Sequence, residues 1–179
     1  MKSTKETLLD AAATTLAQKS DASLNEIAQT AGVGRATLYR YFPNREAILR
    51  ELTIESFEQI EQVIAPILAQ KQSAAEALRD CIDALVPLGD RYHFLWSAPT
   101  FEDDPEIIEL YEQQTQTWLG LVEALKREGV MASDMPTAWV LAVIEGLTYT
   151  AWSSVYDGYV ARRDAPELMF RTLLKGLSA

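Results

Sequence analysis

Residues 24–49 run Leu-Asn-Glu-Ile-Ala-Gln-Thr-Ala-Gly-Val-Gly-Arg-Ala-Thr-Leu-Tyr-Arg-Tyr-Phe-Pro-Asn-Arg-Glu-Ala-Ile-Leu, which reads as two short helices around a glycine turn and the start of a third. Ser23 followed three residues later by Glu26 is a capping box, so a helix starts near Leu24. Leu24, Ile27, Ala28 and Ala31 fall at helical spacing, with small alanines where a second helix must approach closely. Gly32 ends that helix, because glycine takes positive φ without steric cost just past a helix C-terminus. Val33 is apolar within the turn and Gly34 can cap the next helix. Arg35 to Phe42 then holds no breaker before Pro43. The second helix is about two turns, roughly 10 to 12 Å, comparable with the roughly 12 Å width of the DNA major groove.

With Leu38 and Phe42 (i, i+4) facing inward, Arg35, Ala36, Thr37, Tyr39, Arg40 and Tyr41 cover the remaining faces. Arginine can pair bidentately with guanine. Threonine offers a methyl to thymine and a hydroxyl to a phosphate, and a tyrosine hydroxyl is a frequent phosphate donor. Pro43 stops the helix, Asn44 is a good cap for the next, and Arg45 in its first turn could hold a phosphate beside free backbone amides. A helix-turn-helix is equally a packing device, and adjacent tyrosines can be partly buried aromatics, so the turn alone leaves both readings open.

From about Thr7 to Leu49 the chain resembles the TetR family of transcriptional regulators. The resemblance rests on the run Ile-Ala-X-X-Ala-Gly-Val-X-X-X-Thr-Leu-Tyr-X-Tyr-Phe-X-Asn-Arg-Glu, residues 27–46 here. It implies an N-terminal three-helix DNA-binding domain followed by an all-helical regulatory domain. By position it places Arg35, Ala36 and Thr37 where bases are read, Tyr39, Tyr41 and Arg45 where phosphates are gripped, and Asn25 where the preceding helix touches the backbone. Gly34 departs from the larger side chain many relatives carry, so no base contact is expected from it.

Charge divides the chain the same way. Met1 to Arg50 carries seven Lys/Arg and five Asp/Glu, a net of +2; the remainder carries nine against twenty-one, a net of −12, summing to −10. Contact with a polyanion is therefore expected only through the N-terminal part. The acidic surplus otherwise reads as a solvated surface. The 179 residues, 48% hydrophobic, are enough for a helix-turn-helix domain over 1–46 and a larger regulatory and dimerisation domain over 47–179. No leader-like apolar run follows Lys2, Lys5 and Glu6, and no stretch approaches the ~20 apolar residues of a membrane span. Cys81 is the single cysteine and reads as a small buried hydrophobe. A cytoplasmic location is expected, with no membrane partner.

The fold class expected is all-α, with about nine helices. Ser3 or Thr4 can cap a first helix through Lys19, with Leu8, Leu9, Ala12 and Leu16 inward. A long helix from Arg45 carries Ile48, Leu52, Phe57, Ile60 and Ile64 towards Pro66 and links the two domains. Ser73 to Val86 is amphipathic, and Asp90 to Ser97 is short and aromatic. Asp104 as cap, Pro105 in the first turn, Lys126 and Arg127 in the last and Gly129 beyond bracket a helix of about 23 residues. Gly158 to Ala165 is a loop before the final helix, Pro166 to Leu177.

In Trp139 to Val160, fourteen of twenty-two residues are apolar or aromatic, too many faces for the surface of a monomer. The resemblance implies a dimer built from the last two helices of each subunit. Trp139, Val143, Trp152, Val155, Tyr159, Phe170, Leu173 and Leu174 are the expected interface, a single buried core helix being the alternative. Eleven aromatics lie between Tyr92 and Tyr159, material for a pocket or for a core. Phe94, Trp96, Tyr111, Trp118, Tyr149 and Trp152 are the candidates to line a site for a small hydrophobic or aromatic effector.

Enzyme chemistry lacks parts. His93 is the only histidine, too few for a di-iron carboxylate bundle or a zinc site, and no glycine-rich phosphate loop is present. Neither a cofactor nor a metal is expected. The reading is a DNA-binding regulator, a ligand-responsive homodimeric repressor on a palindromic operator; the alternative is a DNA-bound protein-interaction factor with no small-molecule effector.

Overall fold

The computed structural model describes residues 2–97, 101 and 103–177. Among them the chain forms nine α-helices and two 3-10 turns and no strand. The helices are α1 (Thr4–Gln18), α2 (Leu24–Thr30), α3 (Arg35–Tyr41), α4 (Arg45–Leu68), α5 (Ala74–Leu85), α6 (Gly89–Tyr92), α7 (Pro105–Arg127), α8 (Thr137–Tyr156) and α9 (Ala165–Leu177).

Local chemistry accounts for most boundaries. Ser3, Ser23 and Ser73 each close a capping box with the glutamate three residues on, and so start α1, α2 and α5. Asp104 Oδ1 accepts from the amides of Glu106 and Ile107 and starts α7. Gly32, Gly129 and Gly158 have φ of 66°, 71° and 75°, the left-handed conformation that lets the following amide bond back across the helix end. Val33 N donates to Ala28 O, Val130 N to Leu125 O and Tyr159 N to Ser154 O, at 3.0, 2.9 and 2.9 Å.

Two boundaries differ from the sequence-based expectation. α4 passes through Pro66 and ends two residues later. In this last turn the proline withholds only its own amide, and the Gln62 carbonyl left without it belongs to an exposed residue that water can reach. The apolar run predicted from Trp139 ends as a helix at Tyr156, because the Gly158 turn closes it before Val160.

The chain divides into two compact units, each discontinuous in sequence. The N-terminal unit comprises Met1–Ser56 and Arg91–Ile108. Its core gathers Leu8, Ala12, Leu16, Ile27, Leu38, Phe42, Ile48 and Leu52 with Phe94. Arg91 fastens the later segment: its guanidinium donates to Glu55 Oε1 at 2.6 Å and to Asp10 Oδ1 at 3.0 Å. The fully buried Tyr92 hydroxyl donates to the same Glu55 oxygen at 2.7 Å. Burial and that carboxylate push the Tyr92 phenol well above its ordinary range. Arg50 clasps Asp104 and Glu106 in the same way, at 2.5 and 2.7 Å.

The C-terminal unit comprises Phe57–Asp90 and Glu109–Ala179. Its core includes Ile64, Leu78, Cys81, Ile82, Val122, Leu125, Val140, Ile144, Met169 and Leu173. Cys81 is buried there and burial pushes its thiol up to about 12. The Trp152 indole donates to Leu85 O at 3.2 Å and lies over Gly89, where an added Cβ would stand 2.3 Å from Trp152 Cδ1. Gly89→Ala should therefore displace the indole and break its hydrogen bond, costing about 1–3 kcal/mol of overpacking. A melt followed by tryptophan emission checks this: an unchanged midpoint together with an unchanged spectrum would contradict the packing described.

Candidate nucleic-acid interface

α3 is seven residues long, about 10 Å of axis, and Leu38 is its one fully buried residue. Phe42, just past its end, is the second anchor, at 1% exposure. Those two side chains fix the helix to the core, and the half-buried Val33 packs in the turn before it. Arg35, Ala36, Tyr39, Arg40 and Tyr41 are exposed, and Thr37 is half-buried at the start of the helix. Gly34 caps α3 with no side-chain hydrogen bond, so nothing projects ahead of Arg35 to block an approaching base edge.

The cations of the first fifty residues sort into two groups. Lys2 pairs with Asp10, Lys5 with Glu51, Lys19 with Glu26, and Arg50 with Asp104 and Glu106. Arg45 donates to the carbonyls of Ala22 and Ser20. Among the described residues, only Arg35 and Arg40 of these seven cations are engaged by neither a carboxylate nor a backbone carbonyl, and both are on α3. Each rests on a tyrosine: Arg35 stands 5.3 Å from the Tyr39 ring centroid and 3.4 Å from its hydroxyl, and Arg40 5.2 Å from the Tyr41 ring. Cation–π contacts at exposed sites are worth only about 0.5–1 kcal/mol, so a phosphate or guanine can take either guanidinium over. The tyrosines hold the arginines extended along the exposed face without neutralising them.

The flanking helices define how far this face extends. Asn25, exposed in the first turn of α2, is available to a phosphate. Glu26 beside it is not: the Lys19 hydrogen bond and the Ser23 amide and hydroxyl hold its carboxyl down to about 2, a fixed negative charge at the amide end of α2. Asn44 Oδ1 accepts from Ala47 N at 2.8 Å and caps α4. Arg45, expected at a phosphate, is half-buried and spends two donors tying the α1–α2 loop to α4. The sequence gives no sign of this second task, because carbonyl partners twenty-odd residues away leave no local signature. The Arg50 and Arg91 clusters escape sequence reasoning for the same reason.

The aromatics proposed for an effector site fall into both units. Phe94 is a core residue of the N-terminal unit, and Trp96 of the same unit is 50% exposed. Tyr111, Trp118, Tyr149 and Trp152 belong to the C-terminal unit. Trp118 and Trp152 are buried, Tyr149 is exposed, and Tyr111 stands edge-on to Phe57 at 6.5 Å. Of the residues expected at a dimer interface, Leu173 and Trp152 are buried within the single chain. Trp139 and Tyr159 are 61% and 82% exposed, while Val143, Val155, Phe170 and Leu174 are half-buried. Phe170 carries the Arg79 guanidinium 4.0 Å over its ring.

No helix among the described residues is long and apolar enough to cross a membrane, and no group of three or more His, Cys, Asp or Glu among them could hold a metal ion.

Residues 8–52 match the family model described as bacterial regulatory proteins, tetR family. Over 97% of its length the chain is 28% identical to the transcriptional repressor LfrR of Mycolicibacterium smegmatis, covering 90% of that protein. It is 24% identical to the transcriptional regulator NfxB of Pseudomonas aeruginosa, covering 97% of this chain and 94% of that one. The crystal structure of LfrR in complex with proflavine superimposes with a TM-score of 0.81, covering 98% of this chain and 97% of that one, at 27% identity.

Proposed function

Because the chain belongs to the TetR family of transcriptional regulators, we propose that it is a ligand-responsive homodimeric repressor acting on a palindromic operator in the cytoplasm. The observation that carries the DNA-reading part is the distribution of charge. Of the seven cations in the first fifty residues, the two that neither a carboxylate nor a backbone carbonyl engages among the described residues both lie on the exposed face of α3. In this reading Arg35, Ala36 and Thr37 meet base edges, while Asn25, Tyr39, Arg40, Tyr41 and the outer edge of Arg45 meet phosphates.

Dimerisation is supported by α8. Trp139, Ala142, Gly146, Tyr149 and Tyr156 follow helical spacing along one side and are all exposed, an apolar stripe that a monomer would leave in water. Its small central residues permit close helix approach, and Tyr159 and Leu168 extend it. Two-fold symmetry would set the α3 helices about 34–36 Å apart, one turn of DNA. The effector part of the reading is supported by Tyr111, Trp118, Tyr149 and Trp152 in the C-terminal unit and by the proflavine bound to LfrR. An effector that displaces the C-terminal half of α4 would alter that separation.

Selection of bound DNA from a random pool tests the reading. An enriched palindrome with half-sites one helical turn apart is expected. Recovery of a single half-site, or of no enriched sequence, would count against the dimeric reader. Failure of every tested small molecule to release the recovered DNA would favour docking of a protein on the acidic domain.

A further inference from the structure

The helix-turn-helix is a loop closed at its neck. The chain sets out at Ala22, passes through α2, the Gly32 turn and α3, and returns at Arg45, whose Nη1 donates to Ala22 O at 2.5 Å across 23 residues of sequence. Arg45 Nη2 donates to the carbonyl of Ser20 in the same connection between α1 and α2. The amide that follows the Ala22 carbonyl is held as well, Ser23 N donating to Glu26 Oε2 at 2.6 Å. The peptide unit that leads into α2 is thus gripped at its oxygen by α4 and at its nitrogen by α2. The connection is itself tight: Ala22 N donates to Lys19 O at 3.0 Å, and Lys19 Nζ reaches Glu26 Oε1 at 2.8 Å.

This closure does more than satisfy backbone oxygens. Ala22 is 1% exposed and its carbonyl needs a protein partner, but Ser20 is exposed and water can serve its oxygen. A guanidinium with both Nη groups engaged is fixed in orientation, where a single ammonium would swivel. The partners are also neutral. Among the described residues, Arg45 is the one cation of the first fifty positions held by carbonyls and not by carboxylates, so it fastens the neck without giving up its charge. What the fastening governs is the first turn of α2. Ile27 and Ala28 bury the middle of that helix, but Leu24 and Glu26 are half-buried and Asn25 is exposed. No fully buried side chain fixes this turn, and the gripped peptide before it sets where Asn25 stands.

We propose that Arg45 is a positioning residue for DNA contact: its fork seals the neck of the helix-turn-helix loop and holds Asn25 in register with the arginines and tyrosines of α3, so that both helices grip one duplex together. Arg45 then contributes more through α2 than through any phosphate at its own outer edge. The inference rests on the DNA-binding part of the reading above and is independent of dimerisation and of any effector.

The test uses the full-length protein and a mixed-sequence duplex a few helical turns long at low salt, because phosphate contacts are independent of sequence. Arg45→Lys keeps the charge and removes the fork. Losing the placement of one phosphate contact is worth roughly tenfold in affinity, so this variant should bind about that much more weakly, with the slope of log affinity against log salt unchanged. Asn25→Ala should weaken the wild type severalfold but add less than about twofold in the Arg45→Lys background, where Asn25 is already displaced. A glycine inserted between Asp21 and Ala22 leaves every side chain in the chain, takes the two carbonyls out of register with the fork, and should reproduce the Arg45→Lys loss. Binding is read well below the melting midpoint of each variant, so that a loss of affinity in folded protein separates positioning from stability. Full affinity in Arg45→Lys or in the insertion variant, a shallower salt slope in Arg45→Lys, or multiplicative losses for Arg45 and Asn25 would overturn the proposal and leave the DNA-binding reading intact. A wild type that binds no duplex overturns both.

Discussion

Leu38→Ala is expected to abolish operator binding at every DNA sequence while the C-terminal unit stays folded. Leu38 is fully buried and is the single core residue within α3; Phe42 alone would then hold the helix. Removing a fully buried leucine costs about 2–5 kcal/mol, more where the surroundings cannot collapse into the space. Here they are constrained, since the Gly32 turn and the capped start of α4 fix both ends of the segment. A loss of that size consumes much of the 5–15 kcal/mol typical of a domain and should lower the melting midpoint by more than about 8 °C. Differential scanning calorimetry with an electrophoretic binding assay measures both effects. Retained operator affinity with a lowered midpoint would show that α3 is held by more than its two anchors.

Arg35→Ala is the functional counterpart, expected to leave the folding stability within about 0.5 kcal/mol of wild type, as for other exposed positions. A bidentate arginine–guanine contact discriminates by about 1–3 kcal/mol, and the proposed symmetric dimer would lose it twice. Operator affinity should fall by roughly thirtyfold to ten-thousandfold, with base preference relaxed at one position of each half-site. Tyr39→Phe should instead weaken all sequences alike, by about 0.5–1.5 kcal/mol per subunit. The two side chains touch, with Arg35 Nη2 3.4 Å from the Tyr39 hydroxyl, so the double variant is needed to separate their contributions. Uniform loss across all sequences after the arginine change would remove Arg35 from the base-reading set.

How much of this could be read from the chain depends on the range of the interaction. Ser23 with Glu26, Gly32, Asp104 with Pro105, and Gly129 declare helix ends within three or four residues, and the helices begin and end there. Helical spacing likewise marks Leu8, Leu9, Ala12, Leu16, Ile48 and Leu52 as inward, and all are buried. Spacing says that a side chain faces inward but not what it meets. Trp152 sits in an apolar helix that suits a dimer surface, yet it packs on Gly89 and bonds Leu85 O, sixty-seven residues away. Phe94 looks like pocket lining by its aromatic neighbourhood, and it fills the N-terminal core. Arg91 finds Asp10 eighty-one residues distant.

The discontinuity of the N-terminal unit bears on how such proteins can be recombined. A biosensor made by grafting residues 1–56 onto another regulator's sensing half would leave Arg91, Tyr92 and Phe94 behind. Asp10 and Glu55 would then lose their shared cation, and the core would carry a vacancy the size of a phenylalanine ring. A working chimera has to exchange two pieces together, 1–56 and 91–108, with joints at 56/57, 90/91 and 108/109. The portable part of this regulator is therefore a pair of gene segments, and evolution by simple head-to-tail shuffling would have to preserve both.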